Sequence, residues 1–473
     1  MTDKPAPIQP DPTAADLIRP DKGAPATAIH LVAKDGFDAW LAQRSAAQRA
    51  QLAAQKFKGE GYSHAVFAEG DGIAVVAGVA DPAKLSSWCL AKLAEVLPAG
   101  SYRLADAATI DAAPSLIGWV LGQYRFDRYR ADASTEGARV LLTGAVRAID
   151  AAVAEAGAVT LVRDLVNTPA EDMGPGEIEQ AVEAVAKPHK AHVRVTRGEL
   201  LERAFPMVHM VGRAAGRSHA PRMIELEWGD PAHPRLAIVG KGVCFDSGGL
   251  DLKPSSAMLL MKKDMGGAAH ALALAKLIMG AGLKVRLHLL IPAVENAVSG
   301  NAFRPGDVLR SRAGISVEIG NTDAEGRLIL GDALARAGEE KPDLIVDFAT
   351  LTGAARSALG PDLPALMARE DATAQALLDA GLASDDPCWR LPLPESYREW
   401  LKSDIADIAN AHSNGFAGAS VAGLFLDRFV PEGIDWAHFD TFAWRPTAKP
   451  GRPKGGDALG LRATWAMLQR RYG

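Results

Sequence analysis

The chain has 473 residues, of which 48% are apolar and 23% are charged, and its net charge is −5. This composition is typical of a soluble globular protein and excludes wholesale disorder, and the length predicts about two to four domains. Because Lys and Arg are not in excess, we expect no nucleic-acid partner. The three cysteines are too few and too far apart for a disulfide framework or a zinc–thiolate cluster, which favours a cytoplasmic location.

The N-terminal part of the chain carries few signals for chemistry. Residues 1–28 are rich in proline and charge and lack the apolar stretch of a signal peptide, so we predict a flexible arm. Short apolar runs over 29–140, with a helix-like stretch at 83–97, predict a small α/β domain. The longest uncharged apolar run, 265–275, has 11 residues. A membrane-spanning helix needs about 20, so no membrane partner is expected.

A long Ala-rich segment separates this part from the rest of the chain. Its apolar residues recur at helical spacing, and it ends at Asn167-Thr168-Pro169, a sequence that stops helices. We therefore predict a linker helix over 141–166 that leads into a larger domain over 167–473.

The larger domain alternates strand-like with helix-like segments. Its strand-like segments are almost continuously apolar, which predicts an α/β domain whose sheet is buried on both faces and flanked by helices. The strand-like segments are 235–240, 284–294, 315–320 and 343–351, and the helix-like ones are 266–282 and 325–340.

Polar and ionisable residues cluster directly after each strand-like segment. Ligands of open α/β sheets bind at the carboxyl ends of strands, so we expect these clusters to meet in one crevice. The clusters are residues 241–253, Glu295-Asn296, 321–327 and 350–353.

Four carboxylates fall within or beside these clusters: Asp246, Asp264, Asp323 and Glu325. In one crevice they would repel one another unless cations neutralised them. Oxygen ligands suit Mg²⁺ or Mn²⁺, Zn²⁺ also accepts them, and four negative charges match a pair of divalent ions. The alternative stays open that these aspartates only shape turns and that Glu325 caps the following helix.

Three blocks of the larger domain resemble the leucyl aminopeptidase family of metallopeptidases, family M17. They lie at 239–254, 261–270 and 321–334, and residues 321–328 carry the whole signature octapeptide Asn-Thr-Asp-Ala-Glu-Gly-Arg-Leu. The resemblance extends over about residues 160–470 and is weak before that. It implies a small N-terminal α/β domain and a larger C-terminal catalytic domain with a central mixed sheet flanked by helices.

The resemblance implies two divalent metal ions per subunit, Mn²⁺ or Zn²⁺ with Mg²⁺ as a further candidate. Lys253 and Arg327 match the two catalytic positions, and in the family the arginine holds a bicarbonate ion that acts as general base. The matching metal-ligand positions, with Asp246 and Glu325 as the bridging pair, are Lys241, Asp246, Asp264, Asp323 and Glu325.

With this resemblance, the chain is expected to be an exopeptidase that hydrolyses N-terminal amino acids, leucine-like ones preferentially, through a water bridging the two cations. One cation binds the neutral α-amino group, so substrates are peptides with a free N-terminus. A homohexamer is implied by the resemblance alone. The residues expected to bind the substrate are Met261, Thr350, Leu351 and Gly353.

Two other functions are compatible with the residues. A different two-metal hydrolase, such as a phosphoesterase, would use the same cations, with Lys253 and Arg327 gripping phosphate. A non-catalytic assembly stabilised by metal would bind peptide or DNA, although the intact ligand and catalytic positions argue against it. We expect His270, at the end of the second block, and His438, in the segment 436–444 that also matches the family, to have packing or supporting roles.

Overall fold

The chain divides into two compact units. The smaller unit comprises Met1–Thr160 and Thr447–Lys454, and the larger one comprises Leu161–Pro446 and Gly455–Gly473. Across the described residues, no helix combines the length and the apolar character that a membrane span requires. The computed structural model describes residues 14–131, 137–412 and 414–473.

The smaller unit contains a six-stranded sheet. Its strands and helices are β1 Ile18–Pro20, β2 Thr27–Val32, α1 Phe37–Ala42, α2 Ala46–Ala54, β3 His64–Glu69, β4 Gly72–Gly78, α3 Ala91–Val96, β5 Gly100–Leu104, α4 Leu116–Leu121, β6 Arg139–Thr143 and α5 Ile149–Asn167, whose last turns belong to the larger unit. The strand order is β1-β6-β5-β2-β4-β3, and every neighbouring pair is parallel except β3 with β4.

Three predictions for this part of the chain need correction. The predicted arm is wrong at β1, because Leu17 and Ile18 are buried and β1 pairs with β6; the first 13 residues of that arm lie outside the described residues. The predicted linker helix starts at Ile149, since residues 139–143 pair as a strand with β1 and β5. The helix-like stretch at 83–97 is an α-helix only over α3.

The larger unit contains a nine-stranded mixed sheet. The strands of the larger unit, which also include those of a three-stranded sheet (β12, β13, β17) and a two-stranded sheet (β19, β20), are β7 His192–Arg197, β8 Arg222–Trp228, β9 Arg235–Gly240, β10 Gly242–Asp246, β11 Arg286–Asn296, β12 Val308–Arg310, β13 Ser316–Glu318, β14 Leu344–Ala349, β15 Ala365–Ala368, β16 Trp389–Arg390, β17 Ile408–Ala409, β18 Asp435–Asp440, β19 Trp444–Arg445 and β20 Gly455–Gly456. The order is β16-β15-β18-β14-β9-β11-β8-β7, with β10 also paired to β11. Parallel pairs form the centre. Strand β7 pairs antiparallel with β8, β8 with β11, and β15 with β18, whereas β15 and β16 are parallel.

In the described residues, the α-helices that accompany these strands are α6 Pro175–His189, α7 Gly198–Ala204, α8 Pro206–Gly212, α9 Ser255–Met258, α10 Gly266–Ala281, α11 Glu325–Gly338, α12 Gly353–Leu359, α13 Asp371–Ala383, α14 Gly418–Asp427 and α15 Leu461–Tyr472. All residues of β14 and nearly all of α10 are buried, because both are almost entirely apolar. The predicted segments are confirmed as β9, α10, β11, α11 and β14. The segment predicted at 315–320 forms β13, but in a separate three-stranded sheet with β12 and β17.

Candidate metal centre and active site

The carboxyl ends of the parallel strands β9, β10, β11 and β14 meet beside a cavity of about 410 Å³. Ten of the eleven predicted site residues line this cavity, and Glu325 is buried against Lys241. The structure therefore brings together three of the four predicted loop clusters. Of the fourth cluster, Glu295-Asn296, only Asn296 reaches the site, where it contacts Asp246. The Glu295 carboxylate contacts His219 instead.

Asp246 is the last residue of β10, where an irregularity in the pairing with β11 redirects the chain. Its Oδ1 accepts hydrogen bonds from Asn296 Nδ2 and from the Gly248 backbone amide, both at 2.9 Å. Gly248 has φ +89°, and a Cβ there would lie 2.4 Å from the carbonyl oxygen of Asp251. The turn after β10 thus requires glycine and holds one carboxylate oxygen of Asp246 in place.

Asp323 and Glu325 lie at the junction of a tight loop and α11. The Asn321 side chain accepts a hydrogen bond from the Asp323 amide at 2.7 Å, and Glu325 opens the helix. A Cβ at Gly326 would lie 2.6 Å from Nζ of Lys241, so glycine leaves room for that lysine. One oxygen from each of Asp246, Asp323 and Glu325 lies within 4.8 Å of the other two.

Lys241 and Asp264 complete the cluster from its buried side. Nζ of Lys241 lies 2.7 Å from Oδ2 of Asp264 and 2.9 Å from Oε1 of Glu325. The Thr350 hydroxyl donates to Oδ1 of Asp264 at 2.8 Å, and Nζ of Lys263 lies 3.2 Å from the same oxygen. Two residues distant in sequence, Lys241 and Thr350, therefore meet on one carboxylate, together with the adjacent Lys263.

Burial and mutual repulsion shape the ionisation of this cluster. Burial raises the pKa of Glu325 well above its usual range, and the charge of Asp246 raises it further. The same two causes raise the pKa of Asp323. Burial alone would lower the pKa of Lys241, but the charges of Asp264 and Glu325 outweigh it and hold the pKa above the usual range. The cluster is a set of carboxylates that needs compensating positive charge.

The residues fit divalent cations. Buried oxygens of three of these carboxylates each contact a lysine ammonium but accept no well-directed hydrogen bond from the residues that the structure describes: Asp264 Oδ2, Asp323 Oδ1 and Glu325 Oε1. Buried polar atoms of this kind are rare unless they face an ion or water. Carboxylate oxygens are ligands for Mg²⁺, Mn²⁺ and Zn²⁺, and Lys241 would join them only without its proton.

The two predicted catalytic residues flank the carboxylates. Nζ of Lys253 lies 2.9 Å from Oδ2 of Asp246 and also contacts the Asp323 carboxylate. Arg327 is half-buried and donates from Nη1 to the Asn410 carbonyl at 2.6 Å, and its buried Nε has no hydrogen-bond partner among the described residues. Burial lowers the pKa of Arg327 to about 10, which leaves it cationic at neutral pH and suited to hold an anion.

The predicted substrate-binding segment after β14 is shaped by Asp440. Oδ1 of Asp440 accepts from the amides of Leu351 (3.0 Å) and Thr352 (3.2 Å), and Oδ2 accepts from the Thr352 hydroxyl at 2.6 Å. The same hydroxyl accepts from the Ala355 amide at 3.0 Å and so caps α12. This holds residues 350–353 in one conformation along the cavity wall.

Asn296 was placed in a loop cluster from the sequence without being given a role, and three further residues of this site were missed. Asn296 followed a strand and Asp440 lay in a matching block, so both had a signal. Lys263 stood beside a predicted ligand. Asn410 had no signal, although its Oδ1 accepts from the Gly320 and Asn321 amides at 2.8 and 3.2 Å. It therefore holds the signature loop from a distant part of the chain.

The two histidines lie in buried hydrogen-bond networks. His270 pairs through Nδ1 with the Gly266 carbonyl at 2.7 Å and accepts from the Leu459 amide at 2.9 Å. His438 Nδ1 lies 2.6 Å from Asp347. These contacts agree with the packing and supporting roles expected for them.

The family models and the relative that match this chain have related descriptions. The sequence model of the cytosol aminopeptidase family, catalytic domain, matches residues 160–464, and that of the M17 aminopeptidase N-terminal domain matches 27–143. A probable cytosol aminopeptidase from Streptomyces griseus is 40% identical over 78% of this chain and 76% of its own length.

Two solved structures are similar over nearly the whole chain. The crystal structure of a cytosol aminopeptidase from Coxiella burnetii has 47% identity and a TM-score of 0.92, covering 97% of this chain and 100% of the other. The bottromycin maturation enzyme BotP in complex with Mn has 33% identity and a TM-score of 0.85, covering 95% and 100%.

Proposed function

Since the chain belongs to the cytosol aminopeptidase family and is a metal-dependent aminopeptidase, we propose that it releases N-terminal residues from peptides with two divalent cations. The observation that carries this proposal is the convergence of the carboxylate oxygens of Asp246, Asp323 and Glu325 within 4.8 Å of one another. Such a cluster is stable only with nearby positive charge.

The residues that would hold the cations are those of the cluster. Asp246 and Glu325 would bridge, Asp323 would complete one site, and Lys241 with Asp264 would complete the other. When bound, two such ions lower the pKa of a bridging water and polarise the scissile carbonyl. We propose Mn²⁺ or Zn²⁺ for these sites, with Mg²⁺ as a third candidate.

Lys253 and Arg327 would supply the charge and proton transfer around the reacting peptide. The Lys253 ammonium lies against two of the carboxylates, where it would stabilise the oxyanion that develops on the carbonyl oxygen. Half-buried Arg327, with its Nε unpaired among the described residues, would hold bicarbonate. A bicarbonate held by Arg327 would supply the general base for the attacking water and the general acid for the leaving amine.

The substrate would be a peptide with a free N-terminus. Only a neutral α-amino group can serve as a metal ligand, so an acylated N-terminus would not bind. Thr350, Leu351 and Gly353 would align the peptide along the cavity, and Met261 would face its first side chain, for which we propose a leucine-like preference.

We further propose that the protein is a cytoplasmic homohexamer with no nucleic-acid or membrane partner. The location is supported by the names of its cytosolic relatives and by three free cysteines. Exposed apolar side chains at Leu250, Leu252 and Leu259 follow the Asp246 turn and would suit contacts between subunits. Sedimentation at micromolar concentration tests the assembly, and a monomer there would contradict it.

The activity is tested by hydrolysis of leucine p-nitroanilide after chelation and after addition of Mn²⁺ or Zn²⁺, beside the N-acetylated substrate. We expect metal to restore cleavage of the free-amine substrate alone. Lys253→Met should lower kcat by about 10²-fold while the metal stays bound, because one oxyanion donor is lost. Failure with every metal on a dipeptide panel, together with turnover of a phosphate ester, would instead identify a phosphoesterase.

A further inference from the structure

One cation on the cavity wall has no role in the metal cluster. Arg356 lies on α12, is exposed, and lines the cavity together with Met261 and Gly353. Its guanidinium carbon lies 4.7 Å from the centroid of the Phe442 ring. Its Nη2 would be 3.8 Å from a Cβ placed on Gly353, which puts the guanidinium beside the segment expected to align the peptide.

The other cations of the cavity are engaged. Lys241, Lys253 and Lys263 each face at least one carboxylate within 3.2 Å. Arg327 donates to a backbone carbonyl. In the part of the chain that the structure describes, the Arg356 guanidinium has neither a hydrogen bond nor an ion pair, and it lies over the Phe442 ring.

We propose that Arg356 is a specificity-determining residue that binds a carboxylate group of the peptide substrate. This inference rests on the proposed aminopeptidase function and adds the class of substrate: peptides with an anionic group close to the scissile bond. A guanidinium offers paired N–H donors that match a carboxylate, and stacking on an aromatic ring restricts the side chain before the substrate arrives.

A substrate peptide has two sources for that carboxylate. One is an acidic side chain on the first residue, and the other is the C-terminal carboxylate of a dipeptide. The chemistry of recognition is the same, so the experiment separates the sources. Glutamyl and glutaminyl p-nitroanilide differ only in the side-chain charge, whereas Leu-Gly and Leu-Gly amide differ only in the terminal charge.

The test compares kcat/KM of the metal-loaded wild type with that of Arg356→Gln, Arg356→Lys and the control Arg203→Gln. Arg203 is an exposed arginine on α7 that does not line this cavity. We expect Arg356→Gln to lower kcat/KM by about 10-fold for the anionic member of one pair, as for loss of a hydrogen bond to a charged group. Its neutral partner and leucine p-nitroanilide should change less than about 2-fold.

Arg356→Lys should keep part of the preference for the anionic substrate, because lysine keeps the positive charge but lacks the paired N–H donors of the guanidinium. The pair that responds identifies the source of the carboxylate. Equal kcat/KM of wild type and Arg356→Gln on all substrates, or an equal loss on charged and neutral substrates, would overturn the inference while leaving the aminopeptidase intact. A wild type that cleaves none of the free-amine substrates would instead overturn the proposed function, and this inference with it.

Discussion

Two buried glutamates in the larger unit differ in how their charge is compensated. Glu225 on β8 is 2% exposed, and Glu325 at the start of α11 is 1% exposed. Both are carboxylates removed from water, which is costly for an isolated charge. Their surroundings nevertheless give them opposite tendencies to ionise.

Glu225 is surrounded by donors. Arg194 donates to both of its oxygens, at 2.8 and 3.1 Å, Arg336 donates at 2.9 Å, and Nε2 of His288 lies 3.2 Å away. Burial alone would raise the pKa of Glu225, but the hydrogen bonds from His288 and Arg194 and the charge of Arg336 outweigh it and lower the pKa to about 2. The negative charge of Glu225 is therefore fully compensated by side chains of the protein.

The negative charge of Glu325, in contrast, is only partly compensated by side chains of the protein. Its Oε1 lies 2.9 Å from Lys241 but accepts no well-directed hydrogen bond from the described residues, and burial with the nearby charge of Asp246 raises its pKa. The comparison distinguishes buried carboxylates that stabilise the fold from buried carboxylates that bind a cation. A carboxylate with a full set of protein donors stabilises the fold, whereas one without them is a candidate ligand for a cation.

Replacing Glu325 should give the largest effect on activity. Glu325→Gln removes a bridging ligand, so we expect kcat of the metal-supplemented enzyme to fall by at least about 10³-fold, since metal stabilisation of the transition state amounts to several kcal/mol. The unfolding free energy of the metal-free protein should fall by less than about 1 kcal/mol, because Lys241 keeps its contact with Asp264 and the repulsion between Glu325 and Asp246 is removed.

Kinetics and denaturant unfolding of the chelated protein measure these two effects. Glu202→Gln, at an exposed position on α7, is the matched control and should change neither. A large loss of metal-free stability in Glu325→Gln would mean that Glu325 is a structural group like Glu225.

Replacing Glu225 should give the reverse pattern. Glu225→Gln leaves Arg194 and Arg336 without their common counter-charge, and breaking a buried ion pair from one side costs about 3–5 kcal/mol. We expect a loss of that size in unfolding free energy, with metal content and kcat of the folded protein retained. Loss of metal at temperatures where the variant is folded would show that the two regions are coupled.

The pH dependence of the unfolding free energy should also report on Glu225. The folded-state pKa of Glu225 is about 2 and its ordinary value is 4.5. Its contribution to stability is therefore complete above about pH 4.5 and is lost as the pH falls toward 2. The difference in unfolding free energy between wild type and Glu225→Gln should be about 3 kcal/mol at pH 7 and shrink progressively between pH 4.5 and 3. A constant difference over that interval would contradict this assignment.

The sequence predicted these two regions unequally. Glu325 was identified because it stands in an eight-residue motif, where neighbours in sequence are also neighbours in the site. Glu225 was not identified, because its donors come from β7, β11 and α11, at separations of 31, 63 and 111 residues. Single-sequence patterns report local periodicity and motifs, and they do not report which distant side chains meet.

The same limit explains the errors in the fold. Long buried segments such as β14 and α10 were predicted, since their apolar runs determine both type and burial. The pairing of β1 and the placement of β13 outside the main sheet were not, because three-residue strands carry too little pattern to specify a partner. Asn410 was missed for the same reason as Glu225.

The last prediction concerns a donor that belongs to the metal cluster. Asn296 donates from Nδ2 to Oδ1 of Asp246 at 2.9 Å and to the Thr322 carbonyl at 3.1 Å, and so ties together the two loops that carry the ligands. Asn296→Ala should weaken metal binding by about 10–100-fold, the usual cost of losing a group that orients a ligand.

At saturating metal, kcat of Asn296→Ala should recover to within a few-fold of wild type, because the ligands themselves remain. Metal titration of the chelated protein, followed by activity at each metal concentration, measures both quantities. Glu295→Gln is the matched control, since Glu295 is the adjacent residue and its side chain contacts His219 instead. If Asn296→Ala lost kcat at saturating metal but kept its affinity, Asn296 would serve the substrate. Asp246 would then bind metal equally well without the hydrogen bond from Asn296, in contrast to Glu225, whose charge is compensated by its protein donors.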